Sequence, residues 1–122
     1  KKPLTVKPRV YHTVGKIRVD IDDPVTFEED EFKGDGFLFR DDLESLNFQP
    51  LTIDSWLGRS DKTPIVENYS KNPDKNLEYF EIRNDLIACK KPFIPAMLTH
   101  DIEIIYSDCL GYIMEEEILE LR

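Results

Sequence analysis

The chain has no apolar run approaching the roughly 18 residues that a membrane-spanning helix needs. Its apolar stretches, such as Leu86-Ile87-Ala88-Cys89 and Ile104-Ile105-Tyr106, are no longer than a β-strand. Internal repeats and low-complexity segments are also absent, while 40% of the residues are hydrophobic. A chain of 122 residues suits one hydrophobic core and is too short for two. We therefore predict a single globular domain over residues 1–122, with no membrane segment.

Cysteine is scarce too. The only two, Cys89 and Cys109, form neither a C-x-x-C pair nor a cluster with histidine, so they do not indicate a metal or redox site. Cys89 follows the apolar run Leu86-Ile87-Ala88, where we expect a buried thiol, because free cysteine packs as a small hydrophobic residue. A bridge between the two stays open from sequence alone. A reducing compartment is the simpler assumption, and we predict a cytoplasmic protein.

The motifs of common nucleotide-binding, hydrolase and zinc sites are missing as well. The chain contains no P-loop, no G-x-G-x-x-G and no H-E-x-x-H, and no serine lies between glycines as a nucleophile elbow requires. We predict a non-catalytic domain and assign no catalytic residue, no metal ligand and no cofactor. An enzyme whose site is assembled from distant residues stays an alternative.

Two residue patterns invite a chemical interpretation and match it poorly. His100-Asp101 suggests a general base with its orienting carboxylate, but adjacent residues of a strand point to opposite faces. Counting a calcium loop from Asp20 puts an acceptable Glu31 at the twelfth position, but Val25 at the sixth, where glycine is required. A small metal-dependent enzyme using this Asp-rich stretch is kept as a second alternative.

The net charge of −9 comes from one stretch of the chain. Residues 20–44 hold eleven acidic residues against Lys33 and Arg40, whereas elsewhere 14 acidic and 14 basic residues cancel. Residues 1–18 hold six basic residues and no acidic one, and residues 1–9 are a candidate basic N-terminal arm. Nucleic acids and anionic membranes bind through Lys and Arg, so the acidic balance argues against both. The basic Lys1–Arg18 end is a local exception for nucleic acid.

Hydrophobic residues interrupt the acidic stretch, which indicates folded sequence and not a disordered tail. Clustered acid can be a solvated face, or it can steer a basic partner towards the domain. Trp56 is the only tryptophan; a core position is its ordinary role, but tryptophan also anchors interfaces. The residues predicted to bind a partner are Asp22, Asp23, Glu28, Glu29, Asp30, Glu31 and Trp56.

Turn-forming residues recur at short intervals, and eight prolines leave little room for long helices. The predicted fold class is α+β, mainly β, with six or seven short antiparallel strands and one or two short helices. Hairpins are predicted near 32–39, around Gly34-Asp35-Gly36, and near 77–89, around Asn84-Asp85. The remaining predictions are a helix at 41–48 and a strand at 101–106. Residues 112–122 are ambiguous between a strand and a second helix, and the helix is favoured.

These observations favour a protein-binding domain that presents an acidic face to a basic protein partner. Small acidic domains without catalytic signatures recur among inhibitors and immunity-type proteins, which is an analogy of composition only. The first alternative is a structural or scaffold subunit of a larger assembly, and the second is the metal-dependent enzyme named above.

Overall fold

A computed structural model describes residues 9–27, 32 and 34–118 of the chain. These residues form a mostly β fold of two sheets, with one short α-helix and one 3-10 helix, which confirms the predicted fold class. The strands are β1 (Arg9–Arg18), β2 (Val25–Phe27), β3 (Phe37–Phe39), β4 (Trp56–Ser60), β5 (Ile65–Asn68), β6 (Phe80–Arg83), β7 (Leu86–Cys89), β8 (Ile94–Ala96) and β9 (Gly111–Ile118). The helix α1 spans Ile102–Ser107, and the 3-10 helix spans Leu43–Leu46.

The first sheet has the strand order β5-β1-β9-β8 and is antiparallel throughout. Its longest pairing joins β1 to β9, with a register shift between Thr13 and Gly15. The second sheet has the order β2-β3-β4-β7-β6. Side chains of both sheets, including Ile17, Ile113, Phe39 and Leu57, belong to one buried hydrophobic cluster.

The hairpin predicted near 77–89 is confirmed. Strands β6 and β7 pair antiparallel, and Asn84 and Asp85 form the two-residue turn between them with φ of 51° and 65°. A two-residue turn needs such positive φ values, and Asn and Asp tolerate them better than most residues. The local sequence therefore determines this element.

The hairpin predicted near 32–39 is wrong. Strand β3 pairs on one side with β2, in parallel, and on the other side with β4, so both of its edges are occupied. Phe32 lies outside any strand, and Gly34–Gly36 forms a bend. The parallel β2–β3 pair also corrects the prediction that all strands run antiparallel. Strand β3 therefore pairs with β2 and with β4, and not with the residues just before Gly34.

Two elements near the C-terminal end are the reverse of the prediction. Residues predicted as a strand at 101–106 form α1, because the Asp101 carboxylate accepts hydrogen bonds from the N–H groups of Glu103 and Ile104 and so caps a helix. The helix predicted at 112–122 is wrong, since Gly111–Ile118 is a strand; residues 119–122 lie outside the described residues. Pairing with β1 and β8 outweighs the helical propensity of the glutamates.

The helix predicted at 41–48 is shorter than expected and is a 3-10 helix at Leu43–Leu46. Residues 1–8 of the predicted basic arm lie outside the described residues, and Arg9 begins β1. The arm and the single domain over residues 1–122 both stay predictions. Within the described ranges, no helix is long and apolar enough to cross a membrane.

Both cysteines are buried free thiols, which answers the question of a bridge between them. Burial raises the pKa of the Cys89 thiol to about 12. Burial also raises the pKa of Cys109. A thiol that stays protonated is a poor nucleophile, so both cysteines act as core residues.

Candidate functional site

Four turns that are far apart in sequence meet at one end of the second sheet. The Pro24 carbonyl accepts a hydrogen bond of 2.8 Å from the N–H of Phe37, which brings the turn before β2 against the bend before β3. Lys62, in the turn after β4, forms an ion pair with Asp23. The fourth turn joins β6 to β7, and its Asp85 carbonyl accepts from the N–H of Ser60 at 2.9 Å.

Ser60 is the point where these turns are fastened together. Its hydroxyl is fully buried, donates to the Gly36 carbonyl at 2.8 Å and accepts from the N–H of Lys62 at 3.2 Å. A buried hydroxyl with both roles filled has no polar atom left without a partner, so its hydrogen bonds offset the cost of removing it from water. The arrangement depends on long-range contacts, and no sequence pattern predicted it.

The four turns present carboxylates in excess of cations. Five of the six aspartates are exposed, and only Asp23 is partly buried. Among the described residues, Lys62 lies beside them and is paired with Asp23. We call this surface the acidic end, defined by Asp20, Asp22, Asp23, Asp35, Asp61 and Asp85.

The turn Asp20–Asp23 holds an exposed hydrophobic side chain in a fixed position. The Asp23 N–H donates to the Asp20 carbonyl at 3.0 Å, and the Asp22 N–H donates to the Asp20 carboxylate at 2.9 Å. The Tyr106 hydroxyl donates to the Asp23 carbonyl at 2.5 Å and ties the turn to α1. Ile21, at the tip, is 75% exposed. The result is an apolar side chain between carboxylates on a rigid turn.

Lys62 does not neutralise this surface as a whole. Its pKa is raised, first by the hydrogen bond to Asp23 and also by the charges of Asp61 and Asp20, so it remains an ammonium group bound to Asp23. The other carboxylates of the acidic end keep a negative field around Ile21. Such a field attracts a cationic surface at a distance set by the salt concentration.

Of the predicted binding residues, Asp22 and Asp23 lie at the acidic end, whereas Trp56 does not. Trp56 begins β4 and Ser60 ends it, so Trp56 lies about 13 Å away along that strand. Glu28, Glu29, Asp30 and Glu31 lie outside the described residues.

Trp56 is half-buried, and a stacked cation covers its ring. The Arg40 guanidinium lies 4.6 Å from the ring centroid and donates to the Trp56 carbonyl at 3.1 Å. It also binds both carboxylate oxygens of Asp42 at 2.8 Å, and this hydrogen bonding lowers the pKa of Asp42. The contact with Arg40 holds the Trp56 ring in place, and its predicted role in partner binding stays a prediction.

A second polar cluster lies where β9 passes under the segment before β6. The Glu115 carboxylate accepts from the fully buried Tyr79 hydroxyl at 2.5 Å and from Lys75 at 2.7 Å. Burial alone raises the pKa of Glu115, but the hydrogen bonds from Lys75 and Tyr79 outweigh it and the net pKa is lowered. Burial and Glu115 together raise the pKa of Tyr79. A cleft of about 840 Å³ opens beside Glu115 and is also lined by Tyr11, His12 and Tyr69.

The His100-Asp101 pair does not form the base and carboxylate that its sequence suggests. Asp101 caps α1, and the His100 ring instead contacts Glu44, with Nδ1 2.9 Å from the carboxylate. Both side chains are exposed. Among residues 9–27, 32 and 34–118, no group of three or more His, Cys, Asp or Glu side chains converges as a metal ion would require.

A comparison with protein-family models, with curated proteins and with solved structures finds no match to this chain. The interpretation of the acidic end therefore depends on its own geometry.

The predicted binding residues leave out four aspartates of the acidic end, the exposed Ile21 and the buried Ser60 beneath the turns; the four aspartates are Asp20, Asp35, Asp61 and Asp85. Asp61 and Asp85 lie outside the acidic stretch of residues 20–44 and join it only through the fold. β1 ends at Arg18, and Ile21 occupies the turn that follows. No sequence pattern indicated that Ser60 would hold these turns together. One sequence feature could have placed Ile21 in an exposed turn: it lies between Asp20 and Asp22, shortly before Pro24, and Asp and Pro favour turns.

Proposed function

We propose that the domain is a non-catalytic protein-binding module that presents the acidic end to a basic protein. The observation that supports this most is the convergence of four turns at one end of the second sheet, which brings six aspartates together on one surface with the exposed Ile21. An inhibitor or immunity-type role belongs to this class, because such a module acts by covering a basic functional surface.

Each part of the surface has a separate physical role in this proposal. The carboxylates accelerate encounter with a cationic partner and fix its orientation, while contributing modestly to final affinity. Ile21 supplies apolar contact area beside Asp20, Asp22 and Asp23, and water is excluded from it on binding. The hydrogen bonds of Asp20 and Tyr106 hold the turn before the partner arrives, so little ordering entropy is lost.

The two other functions remain proposals of lower rank. A scaffold subunit would use further surfaces in addition to the acidic end, and a metal-dependent enzyme would need carboxylates that converge. A cytoplasmic location fits the binding proposal, since Cys89 and Cys109 are free thiols.

The test captures partners of the tagged full chain from its native extract at about 50 mM and about 300 mM salt. A basic protein should be retained at the lower concentration. A variant carrying Asp22→Asn, Asp35→Asn, Asp61→Asn and Asp85→Asn should recover at least about tenfold less of it, because the steering field is lost. These four side chains are exposed, and asparagine tolerates the positive φ of Asp85.

The matched control removes the same number of exposed charges elsewhere, through Asp54→Asn, Glu67→Gln, Asp74→Asn and Glu78→Gln. It should capture the partner as the natural chain does. Equal recovery by the acidic-end variant and the natural chain would reject the proposal. Equal losses in the variant and its control would reduce the effect to overall charge and would also reject a specific surface.

A further inference from the structure

The cleft of about 840 Å³ beside Glu115 is separate from the acidic end. It lies between the first half of β1, the end of β9 and the segment 69–72 that follows β5. Tyr11, in its lining, is about 20 Å from Arg18 along β1, and the acidic end begins beyond Arg18. The cleft has the volume of sites that hold small molecules. The proposed protein-binding surface makes no use of it.

Hydrogen bonds hold the segment 69–72 against the first sheet. The Tyr69 N–H donates to the Val14 carbonyl at 3.0 Å, at the register shift of β1. The Asn68 carboxamide accepts from the N–H of Ser70 at 2.8 Å and donates to the Asn72 carbonyl at 2.9 Å. This wall of the cleft is therefore formed before a ligand arrives, so little ordering entropy is lost on binding.

Two tyrosines present ring surface at the cleft. Tyr11 is 50% exposed and Tyr69 is 46% exposed. The Tyr69 ring is held in place by Tyr112, with the ring centroids 6.0 Å apart, and by the Lys16 ammonium, 5.6 Å from the Tyr69 centroid. A fixed tyrosine offers a ligand an apolar ring face and a hydroxyl group next to it.

The rest of the lining is polar, and its formal charges cancel. Of the ten described residues that line the cleft, only Val14 lacks a polar side-chain group. The Glu115 carboxylate is bound to Lys75 at 2.7 Å, and Lys71 balances Glu116 in formal charge. A charged ligand therefore gains little net attraction from the lining, and a wholly apolar ligand would leave polar groups without partners. The lining suits a neutral ligand that combines hydroxyl groups with apolar faces.

We propose that this cleft binds a neutral carbohydrate. Sugar rings have apolar C–H faces, which pack on the rings of Tyr11 and Tyr69. Their hydroxyl groups exchange hydrogen bonds with Ser70, Asn72 and the lone pairs of Glu115 that Lys75 and the Tyr79 hydroxyl leave open, since a carboxylate has about four acceptor positions. This binding is independent of the acidic end.

The test screens the tagged full chain on an array that carries neutral oligosaccharides, sulfated and sialylated glycans, and polar peptides. Isothermal titration calorimetry then measures the bound compounds. Neutral oligosaccharides should bind, with the same affinity at about 50 mM and about 300 mM salt, because no net charge attracts them.

Tyr11→Ala should weaken this binding about tenfold, since one ring contact is lost. Tyr11 is half exposed, so the variant should keep its fold. Phe48→Ala removes a 67% exposed aromatic side chain elsewhere and is the matched control, which should leave the affinity unchanged. In the natural chain, titration with the bound oligosaccharide should shift the amide resonances of Tyr69, Ser70 and Asn72 and leave those of Asp22 and Asp85 in place.

Four results would overturn the inference: no bound glycan, a preference for the sulfated or sialylated glycans, binding of the peptides alone, or an affinity that Tyr11→Ala leaves unaltered. The proposed function fails separately. The Asp22→Asn, Asp35→Asn, Asp61→Asn, Asp85→Asn variant should bind the oligosaccharide as the natural chain does, whatever happens to its capture of a basic protein.

Discussion

Replacing Gly58 with alanine should remove roughly 3 kcal/mol or more of unfolding free energy, a large part of the total for a domain of this size. A Cβ atom at Gly58 would lie 2.3 Å from the Leu38 carbonyl oxygen and 2.6 Å from the Phe39 Cα. Both are backbone atoms of β3, the strand next to β4. Alanine would therefore force two strands apart, because no flexible side chain is there to give way.

Gly34→Ala is the matched control for this substitution. Its Cβ would meet no atom within 4 Å, so the cost is confined to the positive φ of 82°. That conformation costs about 1 kcal/mol for alanine. Urea denaturation followed by circular dichroism and by Trp56 fluorescence should rank the two variants in this order. Equal stability for Gly58→Ala and Gly34→Ala would contradict the close approach of β3 and β4.

Glu115→Ala should destabilise the domain by about 2–3 kcal/mol, because it leaves the buried Tyr79 hydroxyl without its acceptor. Glu115→Gln keeps an oxygen for Tyr79 and loses only the charge that faces Lys75, so about 1 kcal/mol should be lost near pH 7. The two substitutions separate the hydrogen bond from the charge. Urea midpoints at one pH provide the comparison, and equal losses would contradict the assigned role of Tyr79.

The pH dependence of the same cluster has a definite sign. The folded pKa of Glu115 lies below its usual 4.5, so its contribution is present above that value and is lost as the pH falls through the folded pKa. The folded pKa of Tyr79 lies above its usual 10.0, so its contribution is present below pH 10.0 and is lost as the pH rises further. Glu115→Gln should lose less stability than the natural chain between about pH 7 and about pH 3.

The parts of the fold that could be predicted are those that neighbouring residues determine. Asn84-Asp85 between two apolar runs predicted the β6–β7 hairpin correctly, because the turn and both strands lie within a few residues of one another. Gly34-Asp35-Gly36 also lies between apolar residues and predicted a hairpin, but that prediction was wrong. Gly36 does have a positive φ, but its turn packs on Pro24, and β3 pairs with β2 and β4.

The C-terminal errors have a related cause. Met114 and Ile118 fit a helical face and glutamate favours helix, yet β9 is paired on both sides by strands from distant parts of the chain. Ile102 and Ile104 alternate as in a strand, yet both are about two-fifths exposed on a helix whose buried residue is Ile105. Pairing with distant strands determines β9, and the N-cap Asp101 determines α1. A periodic pattern over six residues contains no information about either cause.

The candidate site was predictable only as a stretch of charge. Clustering of acid in residues 20–44 singled out Asp22 and Asp23, and their role in partner binding stays a prediction. Asp61 and Asp85 reach the same surface because the hydrogen bonds of Ser60 hold their turns together. No sequence pattern predicts these hydrogen bonds. Trp56 was grouped with the acids because tryptophan often anchors interfaces, but the length of β4 separates it from Asp22.

The central claim is tested most directly by the association rate of the full chain with its captured partner, measured against ionic strength. The natural chain should associate at least about tenfold faster at low salt than the Asp22→Asn, Asp35→Asn, Asp61→Asn, Asp85→Asn variant, with a steeper salt dependence and a similar dissociation rate. Ile21→Ala should do the reverse, raising the dissociation rate while leaving association nearly unchanged. An association rate and salt dependence that the four substitutions leave unaltered would contradict the acidic end as the binding surface.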